Sequence, residues 1–181
     1  MIRLVRWLPL LLTLLLVPSC AMLEKKAAEK ALDEAQLAYS QIADEAHNVA
    51  PDQAEAIEAG FTAANASMAK GDVPAVLAAA NDLGGRVQTL AEALPDLKAR
   101  LEDDWKVLGT GVPGALTALK QKLDDFGQPP AGMPGRARFD STATQLAPLA
   151  QRWEEARSKF ASGKLAAAVA LAQGVREEAV K

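Results

Sequence analysis

The chain has 181 residues; half are apolar, only 4% are aromatic, and 38 are alanine. Alanine is the best helix former and buries little surface per residue, so this composition predicts many closely packed helices, and the β-branched alternation of sheets is missing. A formal net charge of -3 argues against a nucleic-acid partner, and a single cysteine excludes an internal disulfide framework and a Cys-clustered zinc site.

Two basic residues, Arg3 and Arg6, precede the apolar run WLPLLLTLLLV over 7–17. As a helix such a run rises only about 16 Å, against about 30 Å of bilayer hydrocarbon. Its form is that of a secretory signal peptide. Val17, Ser19 and Cys20 then resemble the lipobox of bacterial lipoproteins, with Pro18 where that motif prefers Ala, Ser or Thr. The resemblance covers residues 1–20. It implies a diacylglyceryl group on Cys20, cleavage just before it and acylation of the new amine. Segment 1–19 is then the signal peptide and 20–181 a single helical-bundle domain. Two alternatives stay open: ordinary cleavage near Ser19 and Ala21, or an uncleaved anchor. Ala21 stands where an aspartate implies inner-membrane retention, so the expected location is lipid-anchored at the outer membrane, facing the periplasm. Removing 1–19 leaves 18 basic against 23 acidic residues, which again argues against a nucleic-acid partner.

The apolar positions Ala28, Ala31, Leu32, Ala35, Ala38, Tyr39, Ile42, Ala46 and Val49 recur at three and four, predicting one helix over 22–49. Pro51 restarts the chain in a second helix to Lys70, with Ile57, Phe61, Ala64 and Met68 inward, and Gly71 ends it. Asp72 is placed to cap the next helix and Pro74 falls in its first turn. Val76, Ala80, Leu83, Val87, Leu90, Leu94, Leu97, Leu101 and Leu108 keep one phase through Pro95, so a long kinked helix is favoured there over two separate ones. Gly84 and Gly85 within it imply close approach of a neighbouring helix. GTGVPG at 109–114 reads as a turn and 115–126 as a shorter helix. The Pro/Gly loop covers 127–137; a helix opening at Asp140 or Ser141 runs to about Ser162, and a last one follows Gly163.

A shift of 92 residues superposes Phe61 on Trp153, Ala64 on Ala156, Met68 on Phe160, Gly71 on Gly163 and Ala80 on Ala172. The 34-residue period of tetratricopeptide arrays is absent. The expected fold is therefore all-α, an antiparallel bundle of about six helices built around two related hairpins. Its texture resembles alanine-rich helical lipoproteins of bacteria grouped as domains of unknown function, and that resemblance implies no activity.

Chemistry is sparse. His47 and Asp44 share a helical face, but a di-iron bundle needs more donors, and a cation in the last turn of a helix is the simpler reading. Glu102, Asp103, Asp104, Asp124 and Asp125 flank the expected turn, as a cation cluster or as a solvated face. Trp105 and Trp153 read as core filler or cavity lining. No nucleophile motif, P-loop or dinucleotide fingerprint is present. The expectation is therefore a non-enzymatic, membrane-anchored envelope lipoprotein, a protein-interaction or structural module with no catalytic, metal or cofactor residues. Its partners are membrane lipid through acylated Cys20 and an envelope protein. The alternative is a carrier of an apolar or lipid ligand.

Overall fold

In the computed structural model, residues 17–127, 129, 131, 133 and 135–180 are described. Residues 1–16, the body of the expected signal segment, lie outside them. Among the described residues there are six helices and no strand: α1 (Val17–Ser40), α2 (Ala43–Val49), α3 (Pro51–Ala69), α4 (Val73–Phe126), α5 (Arg136–Ala161) and α6 (Leu165–Val180). The fold is all-α, as the composition required. The chain divides into two compact units. One consists of the chain up to Asp44 with Asp52–Glu92, the other of Glu45–Pro51 with the chain from Ala93.

In the first unit α1 buries Ala28, Leu32, Ala35 and Tyr39, α3 buries Ala54, Ile57, Phe61 and Ala64, and the first part of α4 buries Val76, Ala80, Leu83, Val87 and Leu90. Tyr39 joins α1 to α3: its ring lies 5.8 Å from Phe61, and its hydroxyl donates to Glu58 Oε1 at 3.1 Å, with the Ala54 carbonyl at 3.4 Å. The single helix expected over 22–49 is broken. The Ser40 hydroxyl donates to the Leu37 carbonyl at 2.7 Å, and the amides of Gln41 and Ile42 bond three residues back, so the helix tightens and ends before α2 begins.

Among the glycines of this unit, the one that needs its missing side chain is Gly60. A Cβ there would lie 2.6 Å from Leu83 Cδ2, so the bare backbone lets Leu83 seat against α3. Gly84 and Gly85 play no such part; a Cβ at either meets nothing within 4 Å. The close approach belongs to the glycine of the facing helix.

In the second unit the rest of α4 packs with α5 and α6 through Leu108, Val112, Leu149, Trp153, Ala156, Val169, Ala172 and Val175. The turn expected at 109–114 does not form. α4 runs unbroken through Pro95 and Pro113, because the apolar phase continues through Leu108, Val112, Leu116 and Leu119 into this core. α5 begins at Arg136, earlier than the expected Asp140 or Ser141. Arg136 Nε donates to Asp140 Oδ2 at 2.8 Å and Nη1 to the Pro129 carbonyl at 2.6 Å, which holds the first turn to the preceding loop.

The two hairpins, α3 with the start of α4 and α5 with α6, are copies to the level of single hydrogen bonds. Gly71 (φ +78°) and Gly163 (φ +80°) each end a helix in a left-handed residue, a conformation that favours glycine. The Gly71 and Gly163 amides bond to Met68 and Phe160, and those of Asp72 and Lys164 to Ser67 and Lys159. Buried positions match as well: Ile57 with Leu149, Phe61 with Trp153, Val76 with Ala168, Leu83 with Val175 and Val87 with Ala179. Asp72 caps α4 as expected, its Oδ1 accepting the Ala75 amide at 3.2 Å.

Candidate functional site

The sequence-derived candidates do not assemble into one site. Cys20 lies in the first turns of α1, and its side chain is outside the described ones. His47 lies in the last turn of the short α2, with Asp44 one turn before it. Among the described residues, no group of three or more His, Cys, Asp or Glu could hold a metal ion. The two acidic stretches flanking the expected turn do not meet. Both lie on the continuous α4, and the twenty residues from Asp104 to Asp124 separate them by about 30 Å of helix. Trp105 and Trp153 stack at 5.3 Å, and Trp105 stacks on Phe160 at 4.4 Å, so the tryptophans fill the second unit's core.

Two clefts stand out. In the first unit a cleft of about 540 Å³ opens between α3 and α4. Asp52, Gln53, Ala56 and Ile57 line it from α3, and Asn81, Asp82, Gly85, Arg86 and Thr89 line it from α4. Asp52 lies in the first turn of α3, where the helix dipole favours its charge. A Cβ on Gly85 would meet nothing within 4 Å. The cleft's one cation, Arg86, sits one turn from Asp82 at 3.8 Å, beyond hydrogen-bond reach. In the second unit a cleft of about 520 Å³ is lined by Glu45, Asn48, Lys98, Glu102, Phe160 and Leu165. Lys98 Nζ already pairs with Glu45 Oε1 there at 3.2 Å.

The sequence reading did not single out the first cleft. Its signals were present, in the Gly84–Gly85 pair inside a helical pattern and the Asp82/Arg86 spacing of four. Both were ambiguous, because a glycine pair equally marks tight packing and an i,i+4 pair equally marks a solvated face.

No curated protein and no solved structure matches the chain. A family model does, that of the iron permease FTR1 N-terminal domain, over residues 14–107. This segment contains all of α1 to α3, the first part of α4 and the whole of the first cleft. The match overturns the expected role. A protein-interaction or structural module of the envelope, or a carrier of apolar ligand, is not what a match to an iron permease domain supports, and the lipoprotein description of that role goes with it. Location survives in its coarse form, since a permease works at a membrane. The α-helical hairpin pattern said nothing of iron, because such hairpins serve many functions. By this match over more than half its length, the chain belongs to the family of the iron permease FTR1 N-terminal domain.

Proposed function

We propose that the chain serves iron transport across a membrane, as a helical domain that hands iron to, or regulates, a membrane-embedded permease. The family match over 14–107 carries this reading. Among the described residues no helix is long and apolar enough to cross a membrane, so the reading assigns the crossing to that partner. It involves no enzymatic step.

The finer location is part of the same proposal. The lipobox-like stretch ending at Cys20 supports an acyl anchor at the periplasmic face of the outer membrane, and such an anchor is compatible with a role in iron transport. Two acyl chains hold a protein at a bilayer where one binds only marginally.

Uptake of radiolabelled iron by cells lacking the chain tests the function. Uptake in iron-limited medium falls, and re-expression of the chain restores it; uptake unchanged by the deletion sinks the reading. Fractionation of a Cys20→Ala variant tests the anchor separately. The variant leaves the membrane fraction, and full retention there refutes acylation at Cys20.

A further inference from the structure

The two hairpins are copies, so the places where their charges differ carry information. In the second copy Arg152, on α5, reaches across the hairpin. One of its guanidinium nitrogens donates to both oxygens of Glu178 at 2.8 Å, and the other lies 3.2 Å from where a Cβ on Gly174 would stand. The repeat sets Gly60 in the place of Arg152, Asp82 in the place of Gly174 and Arg86 in the place of Glu178. In the first copy, therefore, Gly60 cannot supply the cross-hairpin ion pair that Arg152 makes. Both charges sit on α4, and the guanidinium has exchanged the short contacts of the second copy for one at 3.8 Å.

The same exchange leaves the first cleft lined by charges of both signs. Arg86 offers a planar set of donors suited to a carboxylate. Asp52 and Asp82 supply two negative charges against that one cation, so a bare polycarboxylate is repelled, whereas a carboxylate that carries a positive centre is not. The amides of Gln53 and Asn81 add donors and acceptors along the walls. About 540 Å³ is within the usual range for a small-molecule site.

We propose that this cleft binds a metal–carboxylate chelate, with a ligand carboxylate on Arg86 and the metal-bearing side toward Asp52 and Asp82. The identification of the metal as ferric iron rests on the iron-transport reading. The cleft also lies wholly within the segment that matches the permease family.

Titration calorimetry of the full chain with ferric citrate, and separately with citrate alone, tests the assignment. Ferric citrate binds, and citrate alone binds more weakly by about tenfold or more, the effect of one unfavourable charge contact. Arg86→Ala weakens ferric citrate binding by a similar factor. Gly85→Leu abolishes it, because that side chain enters the cleft from a position with no neighbour within 4 Å. The same opening keeps the variant folded, as its circular dichroism will show. No binding of ferric citrate, equal binding of citrate alone, or binding unaffected by both substitutions overturns the proposal. Iron uptake by the deletion strain is measured independently, so a failed titration beside a lost uptake removes the cleft assignment and leaves the iron-transport reading standing.

Discussion

Tyr39 is the chain's single tyrosine, and its surroundings give it an unusual titration. Burial, followed by the hydrogen bond to Glu58 and that carboxylate's charge, pushes its hydroxyl from 10.0 up to about 12. Ultraviolet absorbance of the folded protein will show tyrosinate forming near pH 12, and of the unfolded chain near pH 10. The folded state holds this proton more tightly than the unfolded state. The group's contribution to stability is therefore complete below about pH 10 and is lost as pH rises toward 12. Tyr39→Phe keeps the ring against Phe61 and removes the hydroxyl's bond, for a loss of about 1 kcal/mol at neutral pH in urea unfolding. Stability loss attributable to residue 39 between pH 10 and 12 disappears in that variant. Glycines supply a second contrast at this scale. Gly60→Ala gains helix propensity but drives a methyl to 2.6 Å from the buried Leu83, and it costs about 1–3 kcal/mol. Gly84→Ala meets nothing and gains about 1 kcal/mol. Urea midpoints moving in the same direction for both would contradict the packing described at Gly60.

Among the elements, α4 departs most from its sequence. Three glycines and a proline within 109–114 read as a turn, because together they disfavour helix by about 6 kcal/mol relative to alanine. Burial outweighs that. Leu108 and Val112 are 2% and 0% exposed, Leu116 and Leu119 pack beside them, and each such side chain contributes about 1.5–3 kcal/mol when fully covered. Pro113 has no N–H for the Gly109 carbonyl, so the helix persists there one hydrogen bond short. Pro113→Ala restores that donor and raises stability by up to about 3 kcal/mol, with helical circular dichroism unchanged or increased. A loss of stability would show that the packing of Val112 depends on the proline itself. The helix ends were easier to read. Asp72 caps α4, and Gly71 and Gly163 close their helices, because each device acts on backbone groups within a few residues.

At the scale of the whole molecule, one duplicated hairpin was read from the sequence, and each compact unit contains one copy. The copies share their cores and differ in their charges. Arg152 and Glu178, respectively 36% and 48% exposed, couple by about 0.5–1 kcal/mol in a double-mutant cycle, and the coupling shrinks in high salt. The equivalent pair of positions, Gly60 and Arg86, has no such bond to lose. The family match was not legible in any motif: among the described residues no metal-holding cluster stands out and no helix is long and apolar enough to cross a membrane. The sequence by itself determined the all-α class, the hairpin repeat and most helix ends, since periodicity, caps and left-handed glycines are local and repeat along the chain. Only the tertiary structure decided that α4 continues past Gly109, that Gly60 rather than Gly84 is the close contact, and that Arg86 faces an open cleft. Each of these depends on what another helix places opposite the residue, and spacing along one strand of sequence does not encode that.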